Sequence, residues 1–323
     1  MAGSIKLLKR RIKSIESTRK LTKAMQMIAA VNMRKAVTST QAAQPFALQT
    51  VYLLDHFSKY LSSQQISHPY VQEKPLQHVL GVVITSNRGL CGSFHSQLEK
   101  KVRSIVQEPR VLLKYPFDEM TAEEKKQATA IDFSWIVIGK KGERMVKKLN
   151  QPIVASFNQL NEKVESNELD VIFKMIEDEF ATGKYQKVII FYTRYQSAML
   201  QQPVMRQLLP IVPQEVQRTI DEWQIKDSAE KMNEARARID FLVEPDDQTL
   251  MTTVFKLLLK TILYHAVLTS KASVESARMM AMKNATDAAS EMGEILLLNY
   301  NQLRQSKITN EIAEISAGRA ALE

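Results

Sequence analysis

Apolar residues near the start of the chain recur at the spacing of an α-helix. The first four step by three, four and three positions: Ile5, Leu8, Ile12 and Ile15. From Ser4 to about Leu61 the chain contains no glycine and only one proline, Pro45. Because this spacing places the apolar side chains on one narrow stripe, it predicts a long helix that needs a packed neighbour.

The C-terminal third of the chain predicts a second long helix. From Asp247 to Ala317 there is no proline and a single glycine, Gly293. Such a helix would be on the order of 100 Å long. Apolar residues recur along it at Met279, Met282, Met292, Ile295, Leu296, Leu303, Ile308, Ile312 and Ile315. Two long amphipathic helices at opposite ends of one chain predict an antiparallel coiled coil.

The middle of the chain has a different pattern. Three short β-rich runs bounded by turn residues predict strands at 79–85, 135–139 and 187–193. Helical patterns lie between them at 95–106, 142–149 and 167–180. Because strands and helices alternate, this region predicts a small, Rossmann-like α/β domain with a mainly parallel sheet.

We therefore expect four parts along the chain. An N-terminal shaft helix covers 1–61, and the α/β domain covers 76–210, ending where Pro210 and Pro213 stop regular structure. A charged insert or linker follows at 211–240, and a C-terminal shaft helix covers 241–323.

The net charge of +9 is concentrated in the first helix. Ten basic residues and one acidic residue lie between Met1 and Lys35, and the rest of the chain carries equal numbers of each sign. Clustered Lys and Arg can bind nucleic acid or anionic lipid. However, no aromatic residue precedes Phe46, and the apolar stripe is narrow for a lipid-binding helix. We expect acidic protein partners instead, with no nucleic acid bound and no insertion into the membrane.

The sequence contains neither of the common phosphate-binding motifs, GxxxxGK[ST] and GxGxxG. Gly139-Lys140-Lys141-Gly142 follows a predicted strand, but its spacing differs and no Ser or Thr follows the lysines. We interpret it as a strand-to-helix turn, with phosphate binding as the alternative. The stretch TSNRGLCGSF (85–94) is interpreted as a tight β–α loop, with a ligand site at Arg88 as its alternative.

Metal and acid–base chemistry have no recognisable pattern either. The five histidines lack HExxH spacing, and no CxxC motif exists. Cys91 is the single cysteine, and we interpret it as a small buried thiol rather than a nucleophile. The prediction is therefore no catalytic residue, no metal and no cofactor.

Four segments of the chain, taken in order, carry a family resemblance. The long terminal ones are KRRIKSIESTRKLTKAMQMIAAVNMRKA (9–36) and ARMMAMKNATDAASEMGEILLLNYNQLRQSKITNEIAEISAG (277–318). The short ones are TSNRGLCGSF (85–94) and FLVEPD (241–246). These segments resemble the gamma subunit of the F-type ATP synthases, and the resemblance spans most of the chain.

The resemblance implies a non-catalytic, rotating central stalk. Its paired helices would insert into a hexameric head of alternating alpha and beta subunits, and its α/β domain would stay outside, near the epsilon subunit and the membrane c-ring. Rotation would couple proton or sodium flow to ATP synthesis or hydrolysis at the beta subunits. The alternative is a small α/β nucleotide-binding protein whose basic coiled coil binds nucleic acid or an acidic membrane.

The resemblance also implies contact residues. Lys23 and Met25 would pass an acidic loop of the catalytic subunits, and the opposing helix would carry similar contacts at Arg278, Gln305 and Thr309. The foot that meets the ring and the epsilon subunit would include Phe241, Val243 and Glu244.

The chain departs from the family around 214–240, a stretch that is longer than in a typical bacterial gamma subunit. The stretch contains no cysteine, so the regulatory cysteine pair of the chloroplast form is missing. No transit peptide is visible. These features favour a bacterial protein at the cytoplasmic face of the inner membrane.

Overall fold

The computed structural model describes residues 2–64, 68–112, 131–158, 166–212, 215, 218 and 246–320. The helices are α1 (Ala2–Gln64), α2 (Phe94–Gln107), α3 (Lys140–Lys148), α4 (Ser166–Ala181) and α5 (Asp247–Ala320), with a 3-10 turn at Pro109–Leu112. The strands are β1 (His78–Ile84), β2 (Asp132–Ile138), β3 (Ile153–Phe157), β4 (Lys187–Tyr195) and β5 (Gln201–Leu209). The predicted fold class is confirmed: two long terminal helices flank a small α/β domain.

The sheet has the strand order β3-β2-β1-β4-β5. The first four strands are parallel, and β5 runs antiparallel to β4. Parallel neighbours require a crossover, and the helices α2, α3 and α4 provide it. The mainly parallel sheet is thus confirmed. The strand order changes direction between β1 and β4, which is where α/β proteins commonly bind ligands.

Two strands, β3 and β5, are not predicted by the sequence pattern. Both lie at the edges of the sheet. β3 has only five residues, and none of them is fully buried. β5 begins with two glutamines and contains Pro203, which an edge strand tolerates because one side of it needs no ladder hydrogen bonds. Edge strands lack the continuous apolar run that marks β1, β2 and β4.

The side chains of β1 alternate between the two faces of the sheet. Leu80 and Val82 face a core formed with α4 and α5, whereas Val79 and Val83 face a core formed with α2 and α3. A Cβ atom at Gly81 would lie 2.6 Å from the ring of Trp135. Glycine therefore makes room for the largest side chain of the second core, because no other residue fits that gap.

The two terminal helices form an antiparallel pair. The hydroxyl oxygens of Thr22 and Thr286 lie 2.8 Å apart, and a Cβ atom at Gly293 would lie 3.8 Å from Cγ2 of Ile15. Residue numbers fall along α1 as they rise along α5, so the helices run in opposite directions. The predicted coiled coil is confirmed.

Small residues form the buried face of α1 at intervals of seven. They are Thr22, Ala29, Ala36, the partly buried Ala43, and Thr50. A seven-residue repeat keeps one face directed at the partner of a coiled coil. Because these side chains are small, the axes of the two helices can approach closely.

The first half of α5 belongs to the core of the α/β domain. Met251, Leu258 and Leu263 are almost completely buried against the sheet and α4. One window within Gln248–Ala317 is long and apolar enough to cross a membrane, and half of it is buried inside the protein. Burial in a protein core accounts for an apolar stretch of this kind.

Candidate functional site

The turn at 139–142 is bonded to the loop that follows β1. Three successive amides donate to that loop: Lys140 to Oδ1 of Asn87 (3.0 Å), Lys141 to the carbonyl of Ser86 (3.2 Å) and Gly142 to Oγ1 of Thr85 (2.8 Å). A phosphate cradle uses free amides at the N-terminus of a helix. Because these three amides are already bonded, the geometry favours a strand-to-helix turn over a phosphate site.

Gly139 allows this close approach of the two loops. Its φ angle of +94° lies in the region that favours glycine, and a Cβ atom there would lie 2.7 Å from the carbonyl oxygen of Thr85. Gly139 of the GKKG stretch is thus required for the close packing of the two loops.

The loop at 85–94 holds its cysteine inside and its arginine outside. Cys91 is buried, and burial raises the pKa of its thiol, so the thiol stays protonated at neutral pH. The interpretation of Cys91 as a buried thiol is confirmed. Arg88 is exposed at the tip of the loop.

α5 fills the crevice at the carboxyl ends of β1 and β4. Three hydroxyl side chains of α5 bond to the end of β4 and to the turn after it: Thr269 accepts from the amide of Tyr195 (3.1 Å), Ser273 donates to the carbonyl of Thr193 (2.9 Å) and Ser276 donates to the carbonyl of Ala198 (2.7 Å). On the side of β1, Val274 packs against Cys91 and Phe94. The position where an α/β enzyme would hold its ligand is therefore occupied by the chain's own helix.

Arg278 joins α5 to the loop after β1. It is only 9% exposed, its Nε donates to the carbonyl of Gly89 (3.3 Å), and a terminal nitrogen forms an ion pair with Glu275. A buried guanidinium with partners on both sides fixes the helix against the loop.

Beyond this junction, the paired helices have an outer surface that is apolar and basic. Exposed apolar side chains on α1 include Leu21, Met27, Ile28 and Val31, and those on α5 include Met292, Ile295, Leu297, Leu298, Ile308, Ile312 and Ile315. The ten basic side chains before residue 36 are also exposed, and within the described residues none of them forms an ion pair. Exposed apolar surface of this extent marks an interaction site.

In the part of the chain that the structure describes, no group of three or more His, Cys, Asp or Glu side chains is placed to hold a metal ion. The polar groups of the junction instead bond to the backbone of their own chain.

Comparison with known proteins identifies the family. Residues 4–322 match the family model described as ATP synthase. The chain is 31% identical over 320 residues to the ATP synthase gamma chain of Dehalococcoides mccartyi strain CBDB1, with 99% of each chain covered. It is also 31% identical over 322 residues to the ATP synthase gamma chain of Cupriavidus pinatubonensis, with 100% of each covered. The chain belongs to the ATP synthase gamma chain family. The protein is thus a subunit of the membrane-associated ATP synthase complex, as the sequence resemblance implies.

Solved structures share the fold of this gamma chain. The rotor of the Euglena gracilis mitochondrial ATP synthase superposes with a TM-score of 0.60 at 16% identity, covering 95% of this chain and 100% of that one. The central stalk of the Tetrahymena thermophila enzyme gives a TM-score of 0.55 at 22% identity, covering 82% and 99%. The pair of long helices flanking an α/β domain is therefore the fold of gamma chains.

The contact residues expected for a gamma chain are spread along the shaft. Lys23 is exposed and Met25 is half-buried on α1. Gln305 and Thr309 are exposed near the end of α5, and Thr309 donates its hydroxyl to the carbonyl of Gln305 (3.1 Å). Thr309 lies about 35 Å along the helix axis from Thr286, the neighbour of Thr22. The structure therefore brings these residues into two zones rather than one site.

Arg278 differs from the other expected contacts because its side chain is buried at the junction with the α/β domain. The expected foot residues, Phe241, Val243 and Glu244, lie outside the described residues, as does nearly all of the charged stretch at 214–240.

Sequence reasoning missed the three hydroxyls that dock α5 on the sheet. Thr269, Ser273 and Ser276 are spaced by four and three, so they share one face of a helix. The segment TSKASVES (269–276) also contains Ser270, Lys271 and Glu275, so the sequence pattern did not distinguish the three docking hydroxyls from the other polar residues of the segment. Their partners could not be found from the pattern either, since they are backbone groups about 75 residues earlier in the chain.

Proposed function

We propose that this chain is the rotating, non-catalytic shaft of an F-type ATP synthase. The observation that carries the proposal is the outer surface of the paired helices, which is apolar and basic over a long rod. Other subunits must cover a rod with that surface, because exposed apolar area of this size is unfavourable in water. The filled crevice of the sheet supports a shaft rather than an enzyme.

The proposed partners follow from this surface and from the family. The shaft enters a head of alternating alpha and beta subunits, and the α/β domain with its foot meets the epsilon subunit and the c-ring. The bacterial relatives support a location at the cytoplasmic face of the inner membrane. Related assemblies described as rotor, central stalk and c-ring, and F1 with c-ring, support the same arrangement.

The mechanism needs no reacting group on this chain. As the ring turns, the asymmetric shaft presents a different face to each beta subunit. A ligand shifts a conformational equilibrium only by its difference in contact free energy between the states. The basic face of α1 and the apolar end of α5 offer such a difference, so rotation changes which beta conformation is favoured, and ATP hydrolysis can drive the same rotation backwards.

Individual roles are part of this proposal. Lys23 and Met25 contact an acidic loop of the catalytic subunits, and Gln305 and Thr309 contact the head near the tip of the shaft. Arg278 acts near the base of the shaft, where its hydrogen bond to the carbonyl of Gly89 joins α5 to the α/β domain. Phe241, Val243 and Glu244 meet the ring and the epsilon subunit. The chain works in the four parts expected from its sequence, 1–61, 76–210, 211–240 and 241–323.

Two measurements test this function. An affinity-tagged chain expressed in its source cell should co-purify with alpha, beta and epsilon subunits, and the complex should pump ions when given ATP. Isolated chain should show no micromolar binding of ATP by calorimetry and no hydrolysis. Tight ATP binding by the isolated chain, or a purified chain that brings down nucleic acid at about 150 mM salt, would favour the nucleotide-binding alternative.

A further inference from the structure

The hydroxyl side chains that dock α5 on the sheet form a short ladder. Thr269, Ser273 and Ser276 lie on one face of the helix, over about 10 Å of its axis. All three are buried. Apolar side chains pack below this ladder against the sheet, and above it α5 continues into the coiled coil with α1.

The partner of Ser273 is a carbonyl that the sheet leaves open. Thr193 stands opposite Pro203 of β5, and proline has no N–H to donate. On its other side β4 pairs with β1 only as far as Phe191. The hydroxyl of Ser273 donates to this carbonyl instead, at 2.9 Å. The sheet and the helix are therefore complementary at this point.

Ser276 and Thr269 hold the two ends of the ladder. Ser276 donates to the carbonyl of Ala198 (2.7 Å) and accepts from Nε2 of Gln201 (3.3 Å), so it bonds to both sides of the turn between β4 and β5. Thr269 accepts from the amide of Tyr195 (3.1 Å). Each bond joins α5 to a different residue at the end of the hairpin.

Directional bonds add to the resistance that core packing offers against rotation of α5. Hydrophobic contact depends on buried area and has no preferred direction, so the core opposes rotation through the steric fit of its side chains alone. Hydrogen bonds weaken steeply when their angle or length changes. Three of them at three heights fix the rotation of α5 about its axis relative to the sheet.

We propose that Thr269, Ser273 and Ser276 are positioning residues that lock the shaft to the α/β domain, so that both turn as one body under load. This inference rests on the proposed rotary function. Under load, the torque of the ring reaches the head through α5. If α5 rotates relative to the α/β domain, part of each rotation step of the ring does not reach the head. Loss of the lock therefore reduces coupling without reducing hydrolysis.

The test uses three variants of the assembled enzyme. Thr269→Val keeps the shape of the side chain and removes the hydroxyl, and Thr269→Ser keeps the hydroxyl. Thr261→Val is the matched control, since Thr261 is also buried on α5 but donates only to its own helix, at the carbonyl of Leu257 (2.7 Å). The loss of one hydrogen bond raises the population of the unlocked junction about two- to tenfold.

Two readouts report the lock directly. Hydrogen exchange at the amide of Tyr195, measured in the assembled complex, should speed up by that factor in Thr269→Val and stay unchanged in Thr261→Val and Thr269→Ser. ATP-driven ion pumping divided by ATP hydrolysis should fall in Thr269→Val as the opposing ion gradient grows, with hydrolysis changed by less than about twofold. The other two variants should match the wild type.

The outcomes separate the inference from the function it rests on. The inference is wrong if Thr269→Val keeps the wild-type ratio of ion pumping to hydrolysis against a steep ion gradient. It is also wrong if the ratio falls as much in Thr261→Val. Neither result contradicts the rotary function. If the wild-type complex itself shows no coupling, the proposed function fails first. If Thr269→Val does not assemble, Ser276→Ala decides the question in the same assays, with Ser290→Ala as control because Ser290 donates only to the carbonyl of Thr286 in its own helix.

Discussion

The two halves of α5 use similar side chains for opposite purposes. In the first half, Leu258 is 1% exposed in the core between the sheet and α4. In the second half, Leu298 is 59% exposed and Ile315 is 73% exposed. One continuous helix is thus a core element at one end and an outer surface at the other. The apolar residues of the first half are explained by this chain alone, whereas those of the second half require other chains.

The coiled coil shows the same division on α1. Its buried face is made of small residues such as Ala29 and Ala36, while larger apolar side chains such as Leu21 and Ile28 point outward. A self-sufficient pair of helices would place its large apolar residues inside. The arrangement therefore uses little apolar surface to hold the two helices together and leaves more of it for the surrounding subunits.

The largest effect we expect is at Leu258. Leu258→Ala removes a buried side chain from the core and should lower the free energy of unfolding of the isolated chain by about 2–5 kcal/mol. Leu298→Ala is the same change on the same helix at an exposed site, and we expect less than about 0.5 kcal/mol. Urea unfolding of both variants measures the difference. Equal losses would mean that the two halves of α5 are buried alike.

The next effect concerns the close approach of the two helices. Ala29→Leu forces a larger side chain between α1 and α5, at a site that is 1% exposed, and should destabilise the isolated chain by about 1–3 kcal/mol. Ala24→Leu, on the exposed side of α1, is the control and should be neutral. Urea unfolding of the two variants tests this. A stable Ala29→Leu variant would show that the helices are not closely packed there.

Acid should destabilise the α/β domain and the part of α5 that packs on it, through the buried His68 and the partly buried His95 and His265. Burial lowers the pKa of His265 to about 4 and that of His95 to about 4, and burial together with the charge of Lys256 lowers the pKa of His68. The lowered pKa of His95 and His265 favours their neutral form in the folded state, so their contribution is complete above about pH 6.5 and is lost as the pH falls towards 4. The contribution of His68 is likewise complete above about pH 6.5 and is lost at lower pH. His95 and His265 each contribute a slope of at most about 1.4 kcal/mol per pH unit in that window.

Urea unfolding between pH 7 and pH 4.5 measures this slope. His265→Gln should reduce it by about one histidine's share, while Leu298→Ala, which retains every histidine, should keep the wild-type slope. An unchanged slope in His265→Gln would show that His265 is not buried in its neutral form.

We expect the smallest effect on stability at Met25, where a substitution should instead affect the coupling of hydrolysis to ion pumping. Met25→Lys adds a cation to a half-buried position on α1, which the folded chain should tolerate. Near an acidic loop of a partner, the added charge changes the contact free energy by about 1 to 4 kcal/mol for charges roughly 4 Å apart near a wet surface. We expect assembly to be retained and the ratio of ion pumping to hydrolysis to fall, with recovery at high salt. A wild-type ratio would place the acidic loop elsewhere.

The fold was largely predictable because its strongest signals are local. The continuous apolar runs gave β1, β2 and β4, and the stretches without glycine or proline predicted both long helices. Edge strand β3 was missed because it is only five residues long, and β5 because it begins with two glutamines and contains a proline. The apolar pattern of α5 also misled, since Met292 and Ile295 are exposed while Thr286 and Gly293 face α1.

The candidate site was predictable only in part, because it depends on contacts between distant segments. The basic face of α1 could be seen from its charges. The filling of the ligand crevice by α5 could not, since Ser273 and Thr193 are 80 positions apart and neither belongs to a motif. Nor does the sequence show that the backbone amides of the GKKG turn donate hydrogen bonds to the loop after β1.

Direct observation of rotation tests the central claim. Met199→Cys provides an attachment point, because Met199 is 80% exposed, whereas Cys91 is buried and its raised thiol pKa makes it unreactive. With the head of the purified complex immobilised and a visible probe on residue 199, added ATP should turn the probe continuously in one direction. A probe that stays still, or only fluctuates, while the same complexes hydrolyse ATP at the normal rate would contradict the account.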